Sequence, residues 1–236
     1  MIIGGMQKFS LIDYPGKISA VIFLPGCNFR CGFCHNPELV DPELLKDQSK
    51  ISEQEILDFL ATRRGKLDGV CITGGEPTIW KDLPEFIEKI KKLGFLIKLD
   101  TNGTNPEMVE KVIDNIDYFA IDIKNAPAKY RATVNVEVSG ANIEKTLKII
   151  VARAVPLELR TTVVPGLIVK EDFVKIKEWL ESLGVLEKVH SYAIQQFRPL
   201  KTLNKEFQNI RPYKDEELRE MGKVFGGTAK VEVRGI

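Results

Sequence analysis

Six short apolar runs rich in β-branched residues recur along this chain, and their rhythm limits the possible folds more than any other feature. They are "SAVIFLPG" (19–26), "GVCITGG" (69–75), "FLIKLDTNG" (95–103), "YFAIDIK" (118–124), "LELRTTVVPG" (157–166) and "SYAIQQF" (191–197). Each reads as a buried strand. Amphipathic helices fall between them. Ser52 to Arg64 opens with Ser52 and Glu55 at capping-box spacing, and Asp82 to Leu93 sets Leu83, Phe86, Ile87, Ile90 and Leu93 on one stripe before Gly94 stops it. Asn105 and Pro106 start a third helix, and helical stretches are expected at about 142–153, 170–183 and 214–225, the last ended by Gly226 and Gly227. Strands alternating with helices imply a parallel sheet whose right-handed crossovers cover its outer side, so the class is α/β and a barrel or partial barrel fits. Nothing marks a domain boundary, and one domain over 1–236 is expected, with a core at about 15–200 and a C-terminal helix and strand extension at about 210–236.

Composition narrows the functional classes. Lys and Arg total 34 against 33 Asp and Glu, which removes any overall electrostatic case for nucleic acid or an anionic membrane surface. No apolar run approaches the length of a membrane span, and Met1 to Met6 lacks the basic flank and hydrophobic region of a signal peptide. The cytoplasm is the expected compartment.

In barrels and open parallel sheets alike, chemistry collects at the carboxyl ends of the strands. The unusual residues of this chain fall there: a cysteine triplet after the first run, "GGEP" after the second, "DTNG" and "DIK" at the ends of the third and fourth. Cys27, Cys31 and Cys34 have C-x3-C-x2-C spacing, on a loop that also carries Gly26 and Gly32, expected to let backbone approach a bulky inorganic group. Three thiolates can hold a 4Fe-4S cluster with one iron open to an exogenous ligand. The alternative is a closed structural zinc site with Cys71 as fourth ligand. Cys71 lies inside "GVCITGG", where a lone Cys usually acts as a small hydrophobe, and spacing alone leaves both alternatives open.

Taken together, "GCNFRCGFCHN", "ITGGEP", "LDTNG", "DIK" and "VVPG", in this order, resemble the radical SAM superfamily, and within it the activating enzymes of glycyl radical enzymes. The opening "KFSLIDYPGKISAVIFLPGCNFRCGFCHNPELV" and the later "IQQFRP" are most similar to the anaerobic ribonucleoside-triphosphate reductase activating proteins. The resemblance implies a partial (β/α)6 TIM-like barrel. It implies a 4Fe-4S cluster on Cys27, Cys31 and Cys34 whose open iron binds S-adenosylmethionine, and a 5'-deoxyadenosyl radical that takes hydrogen from a glycine of a partner enzyme. A flavodoxin or ferredoxin-type reductant is the implied electron source, with no nucleic acid and no membrane as partner.

The same resemblance implies roles for individual residues. Gly74 and Gly75 would let backbone approach the methionyl end of the cofactor, and Glu76 would accept from its ammonium group. Phe33, His35 and Asn36 would meet the adenine. Asp100, Thr101 and Asp122 match positions that hold a monovalent cation in the formate-lyase-activating branch, since two buried carboxylates raise one pKa or recruit a cation. Lys124 would pair with the cofactor's carboxylate or ribose, and Arg160 with a carboxylate. At the sixth run the chain reads Gln195, Gln196, Phe197, Arg198, Pro199 where that branch has Pro-x-His, so Arg198 or Gln196 is expected to supply the last cofactor contact. "KTLNKEFQN" (201–209) reads as a solvated connection near the barrel rim. Two other functions fit the same residues: a radical enzyme acting on a small molecule such as a modified-base precursor, and a non-catalytic iron-sulfur or zinc protein. An open partial barrel favours a protein substrate, a capped one a small molecule.

Overall fold

The six apolar runs form six neighbouring parallel strands. These are β3 (Ser19–Leu24), β5 (Gly69–Gly74), β6 (Leu96–Thr101), β7 (Tyr118–Asp122), β8 (Leu157–Val163) and β9 (Ser191–Gln196). The structure, a computed structural model, describes residues 1–46 and 50–236. Two further strands extend the sheet to eight: β2 (Gly5–Ser10), antiparallel to β3, and β10 (Val231–Arg234), parallel to β9. The order β10-β9-β8-β7-β6-β5-β3-β2 runs from edge to edge without closing. A two-residue pair, β1 (Ile2–Ile3) with β4 (Ile51–Ser52), sits beside it. The helices are α1 (Pro42–Lys46), α2 (Glu53–Ala61), α3 (Leu83–Lys92), α4 (Pro106–Val112), α5 (Tyr130–Val134), α6 (Gly140–Ala152), α7 (Lys170–Ser182) and α8 (Asp215–Gly222).

Local chemistry explains where the elements stop. The Ser52–Glu55 capping box forms, with Ser52 N donating to Glu55 Oε2 at 2.8 Å and Glu55 N to Ser52 Oγ at 3.2 Å. Asn105 Oδ1 accepts from Met108 N at 3.1 Å and starts α4. Gly94 follows α3 at φ +93°, a conformation that a side chain disfavours.

Strand register sorts the two faces of the sheet. Ile72 pairs with Leu99, Leu99 with Phe119 and Phe119 with Leu157, an apolar row fully removed from solvent. The opposite face is different. There Cys71 pairs with Lys98, Lys98 with Tyr118 and Asp122 with Arg160, so the charged side chains gather on the face opposite the apolar row. The outer face carries the core and the concave face carries the chemistry. β10 lies within the C-terminal helix and strand extension expected at about 210–236, whereas β2 escapes the sequence reading because "GMQKFS" mixes polar and apolar residues on a strand only partly buried, which is typical of sheet edges.

Candidate active site

Cys27, Cys31 and Cys34 leave β3 on one loop and line a cavity of about 320 Å³ at the carboxyl ends of the strands. Its wall includes Glu76 from the "GGEP" loop, Asp100 and Thr101 from β6, Asp122 from β7, Lys124 just beyond it and Arg160 from β8. Phe33, His35, Asn36, Gly74 and Gly75 line it too. Eleven of the twelve cofactor-site residues expected from the sequence therefore share one cavity with the three cysteines. Arg198 does not.

The glycines have a packing task as well. A Cβ on Gly75 would lie 1.9 Å from the Gly26 carbonyl oxygen, and one on Gly74, at φ +122°, 2.3 Å from that of Leu24. Gly75 N donates to Leu24 O at 2.8 Å and Glu76 N to Gly26 O at 2.8 Å. The two loops thus lie backbone against backbone, and it is this contact that excludes side chains. Gly32, also expected to face an inorganic group, instead receives a ring: its Cβ would meet Phe207 Cε2 at 2.5 Å. Phe207 belongs to a short 3-10 turn, Lys205–Asn209, whose preceding Asn204 N donates to Gly32 O at 2.8 Å. Its ring packs 6.2 Å from that of Phe33. The 201–209 stretch is therefore not a free solvated connection but a clasp laid on the cysteine loop.

Glu76 is buried and its carboxylate is well satisfied. Oε1 accepts from Thr78 N at 3.0 Å, Thr78 Oγ1 at 2.5 Å and Thr101 Oγ1 at 2.6 Å, while Oε2 accepts, among the described residues, only from Asn102 N at 2.6 Å. Burial nonetheless raises its pKa above the usual carboxylate range. One side of Oε2 is left for a further donor.

Asp100 and Asp122 are joined by Arg160, whose Nη1 donates to Asp100 Oδ2 at 2.9 Å and whose Nε donates to Asp122 Oδ1 at 2.8 Å. Lys98, buried and unexpected from the sequence, holds the other Asp100 oxygen, and Lys124 Nζ holds Asp122 Oδ2 at 3.0 Å. Burial pushes both carboxyls up, but Arg160 with Lys98 or Lys124 outweighs it and holds both below their ordinary value. Here the two acids are paired with three bases, Lys98, Lys124 and Arg160. Arg160 likewise has much of its fork engaged by the protein itself.

At the sixth strand neither expected residue, Arg198 or Gln196, lines the cysteine cavity. Arg198 lines an adjoining cavity of about 250 Å³, and Gln196 Nε2 donates to Tyr213 O at 2.7 Å. The residue of β9 that faces the cysteines is Gln195, beside Thr162 of β8. Both were missed, although two-residue alternation from Arg160 points to Thr162 and, through the register, to Gln195. The His35 ring sits 5.9 Å from that of Phe197, and burial lowers its pKa.

Cys71 is fully buried, with its thiol 3.7 Å from Asp100 Oδ1 as donor and 3.8 Å from Lys98 Nζ as acceptor. It is absent from the wall of the cysteine cavity. Among the described residues no three His, Cys, Asp or Glu side chains gather about one point as a single ion requires. A cubane needs something else: thiols spread over separate irons, room beside them and nearby positive charge. The cysteine loop supplies the thiols, the cavity the room and Lys124 the charge. Burial pushes the Cys27 thiol up to about 12 and that of Cys31 up to about 11, while Lys124 pulls both the other way. Such thiols stay protonated until a metal displaces the proton.

The model of the radical SAM superfamily matches residues 21–180, and the chain belongs to that superfamily, whose cofactors are a 4Fe-4S cluster and S-adenosylmethionine. It is 40% identical to the "Putative glycyl-radical enzyme activating enzyme MJ1227" of Methanocaldococcus jannaschii, over 94% of this chain and 91% of that one. It is 26% identical to the pyruvate formate-lyase-activating enzyme of Clostridium pasteurianum, over 94% and 95%. Among solved structures it superposes on Streptococcus suis SuiB bound to S-adenosylmethionine with a TM-score of 0.67 at 15% identity, covering 91% of this chain and 52% of SuiB. The chain thus spans about half of SuiB, and that likeness concerns the fold.

Proposed function

We propose that this chain, acting as one domain over residues 1–236, activates a glycyl radical enzyme, with an anaerobic ribonucleotide reductase as the first partner to test. The observation that carries the reading is the cysteine cavity: three thiols without a fourth, facing a wall of paired charges at the carboxyl ends of the strands. The name of the relative at 40% identity supports a glycyl radical enzyme as the class of partner, and the opening segment's resemblance supports the choice within that class. So does the open sheet, which leaves an edge-to-edge gap through which a protein segment can enter.

Cys27, Cys31 and Cys34 would hold the cluster. When bound, cluster and S-adenosylmethionine supply a one-electron cleavage of a carbon-sulfur bond that yields a 5'-deoxyadenosyl radical. The protein's own work is orientation and exclusion of water. Glu76 keeps an acceptor for an ammonium group, and its four donors prevent it from swinging away. Lys124, tied to Asp122 on one side, offers its remaining N–H bonds to a carboxylate or ribose. Phe33, His35 and Asn36 form the side that would meet the adenine. A flavodoxin or ferredoxin is the proposed electron donor.

Reconstituted anaerobically and reduced with dithionite, the protein should convert S-adenosylmethionine to 5'-deoxyadenosine and methionine. Mixed with an anaerobic ribonucleotide reductase, it should produce a glycyl doublet in the electron paramagnetic resonance spectrum. Cleavage without a doublet from any glycyl enzyme of the same genome would shift the assignment to a small-molecule substrate.

A further inference from the structure

Each charged side chain lining the cysteine cavity already has a protein partner. Glu76 has its four donors, Arg160 and Lys124 share Asp100 and Asp122, and the Asp13 carboxylate takes the Ser10 hydroxyl. In the same cavity the neutral Thr162 and Gln195 face it with side chains that form no hydrogen bond among the described residues. They are register partners on adjacent strands, so the hydroxyl and the amide project side by side from the concave face.

The same two residues, with His35, also line the second cavity of about 250 Å³. That chamber lies beside the last strand, where Arg234 is turned onto the buried Glu158 and Arg198 makes no ion pair among the described residues. Thr162 and Gln195 are therefore the shared wall of two adjoining chambers, one holding the cysteines and the other reaching toward the sheet edge.

We propose that Thr162 and Gln195 are substrate-positioning residues, and that they grip a backbone amide of an extended polypeptide segment lying from the outer chamber into the cysteine cavity. A primary amide offers one acceptor and two donors and a hydroxyl offers both functions, which matches the N–H and C=O of a peptide bond. This inference rests on the protein-substrate reading given above.

The test uses the reconstituted full chain and the probe N-acetyl-Ala-Ala-Gly-Ala-Ala-amide, with deuterium at both glycine α positions. Deuterium appearing in 5'-deoxyadenosine is measured against peptide concentration. Gln195→Leu should raise the KM for the peptide by about tenfold, as expected for loss of one or two hydrogen bonds, and Thr162→Val by roughly threefold, with kcat changed less than KM. Gln195→Glu, which keeps length and an acceptor, should fall between Gln195→Leu and the wild type. The cluster's visible absorption reports whether each variant folds, and if Gln195→Leu does not, the near-isosteric Thr162→Val decides. Wild-type KM values in the variants overturn the inference and leave the proposed function intact. No deuterium transfer from the peptide by the wild type overturns the inference as well, while the glycyl doublet tests the function separately.

Discussion

Replacing Arg160 by Met should destabilise the cluster-free protein severely, because one guanidinium separates two buried carboxylates. Its two bonds, 2.9 Å to Asp100 and 2.8 Å to Asp122, are charge-assisted, and its side chain is only 14% exposed. Removing one partner of a buried ion pair costs about 3–5 kcal/mol, since the other charge is left without compensation. Lys98 and Lys124 remain as single partners, which places the expected loss toward the lower end of that range. At roughly 2–4 °C per kcal/mol for a chain of this size, the melting temperature should drop by on the order of 10 °C. The loss should also depend on pH in one direction. Both carboxyls are held below their ordinary value in the folded protein, so the stability they contribute is complete above about pH 4 and disappears as pH falls through their folded pKa values. The gap between wild type and Arg160→Met should therefore be full at pH 7 and narrow below about pH 4. Calorimetry of both proteins, anaerobic and with reductant, measures it. A variant that melts within about 2 °C of the wild type at pH 7, or a gap that widens in acid, would refute the linking role of Arg160.

Gly75→Ala should prevent normal cluster loading, because the new Cβ would sit 1.9 Å from a backbone carbonyl that cannot step aside. Iron content after reconstitution checks it, and a normally loaded variant would show that the two loops can separate at no cost. Gly32→Ala should cost about 1–3 kcal/mol in the wild type, where Phe207 fills the space, and close to nothing in a Phe207→Ala background. Additive losses in that double-mutant cycle would remove the clasp. Glu76→Gln, which faces the donors Thr78, Thr101 and Asn102 with an amide, should weaken S-adenosylmethionine binding by at least about tenfold. Isothermal titration of the loaded protein measures this, and unchanged affinity would exclude Glu76 from the cofactor site.

What was legible in the sequence and what was not divides along the two faces of the sheet. The outer face was readable because Ile72, Leu99, Phe119 and Leu157 repeat a plain apolar pattern between capped helices. The rim was readable because Cys27, Cys31 and Cys34, "GGEP", Asp100 and Asp122 are odd residues at strand ends. The concave interior was hidden. Lys98 lies within "FLIKLDTNG" and looks like a stray charge in a hydrophobic run until the register sets it against Asp100 and Cys71. Gln195 and Gln196 are alike in one dimension, and only strand alternation sends one into the cavity and the other to Tyr213. The glycines could be flagged but not assigned, since what excludes their side chains is a neighbouring loop or ring distant in sequence. Phe207 belongs to a polar stretch with no period, and its partner Gly32 is far upstream.

The central claim is that three cysteines hold a four-iron cluster with one iron left for the cofactor, and that Cys71 takes no part. Anaerobic reconstitution followed by iron analysis and electron paramagnetic resonance tests it most directly. The wild type and Cys71→Ala should each bind four irons, and S-adenosylmethionine should change the spectrum of the reduced cluster in both. A colourless protein holding one zinc, or loss of the metal on replacing Cys71, would contradict it.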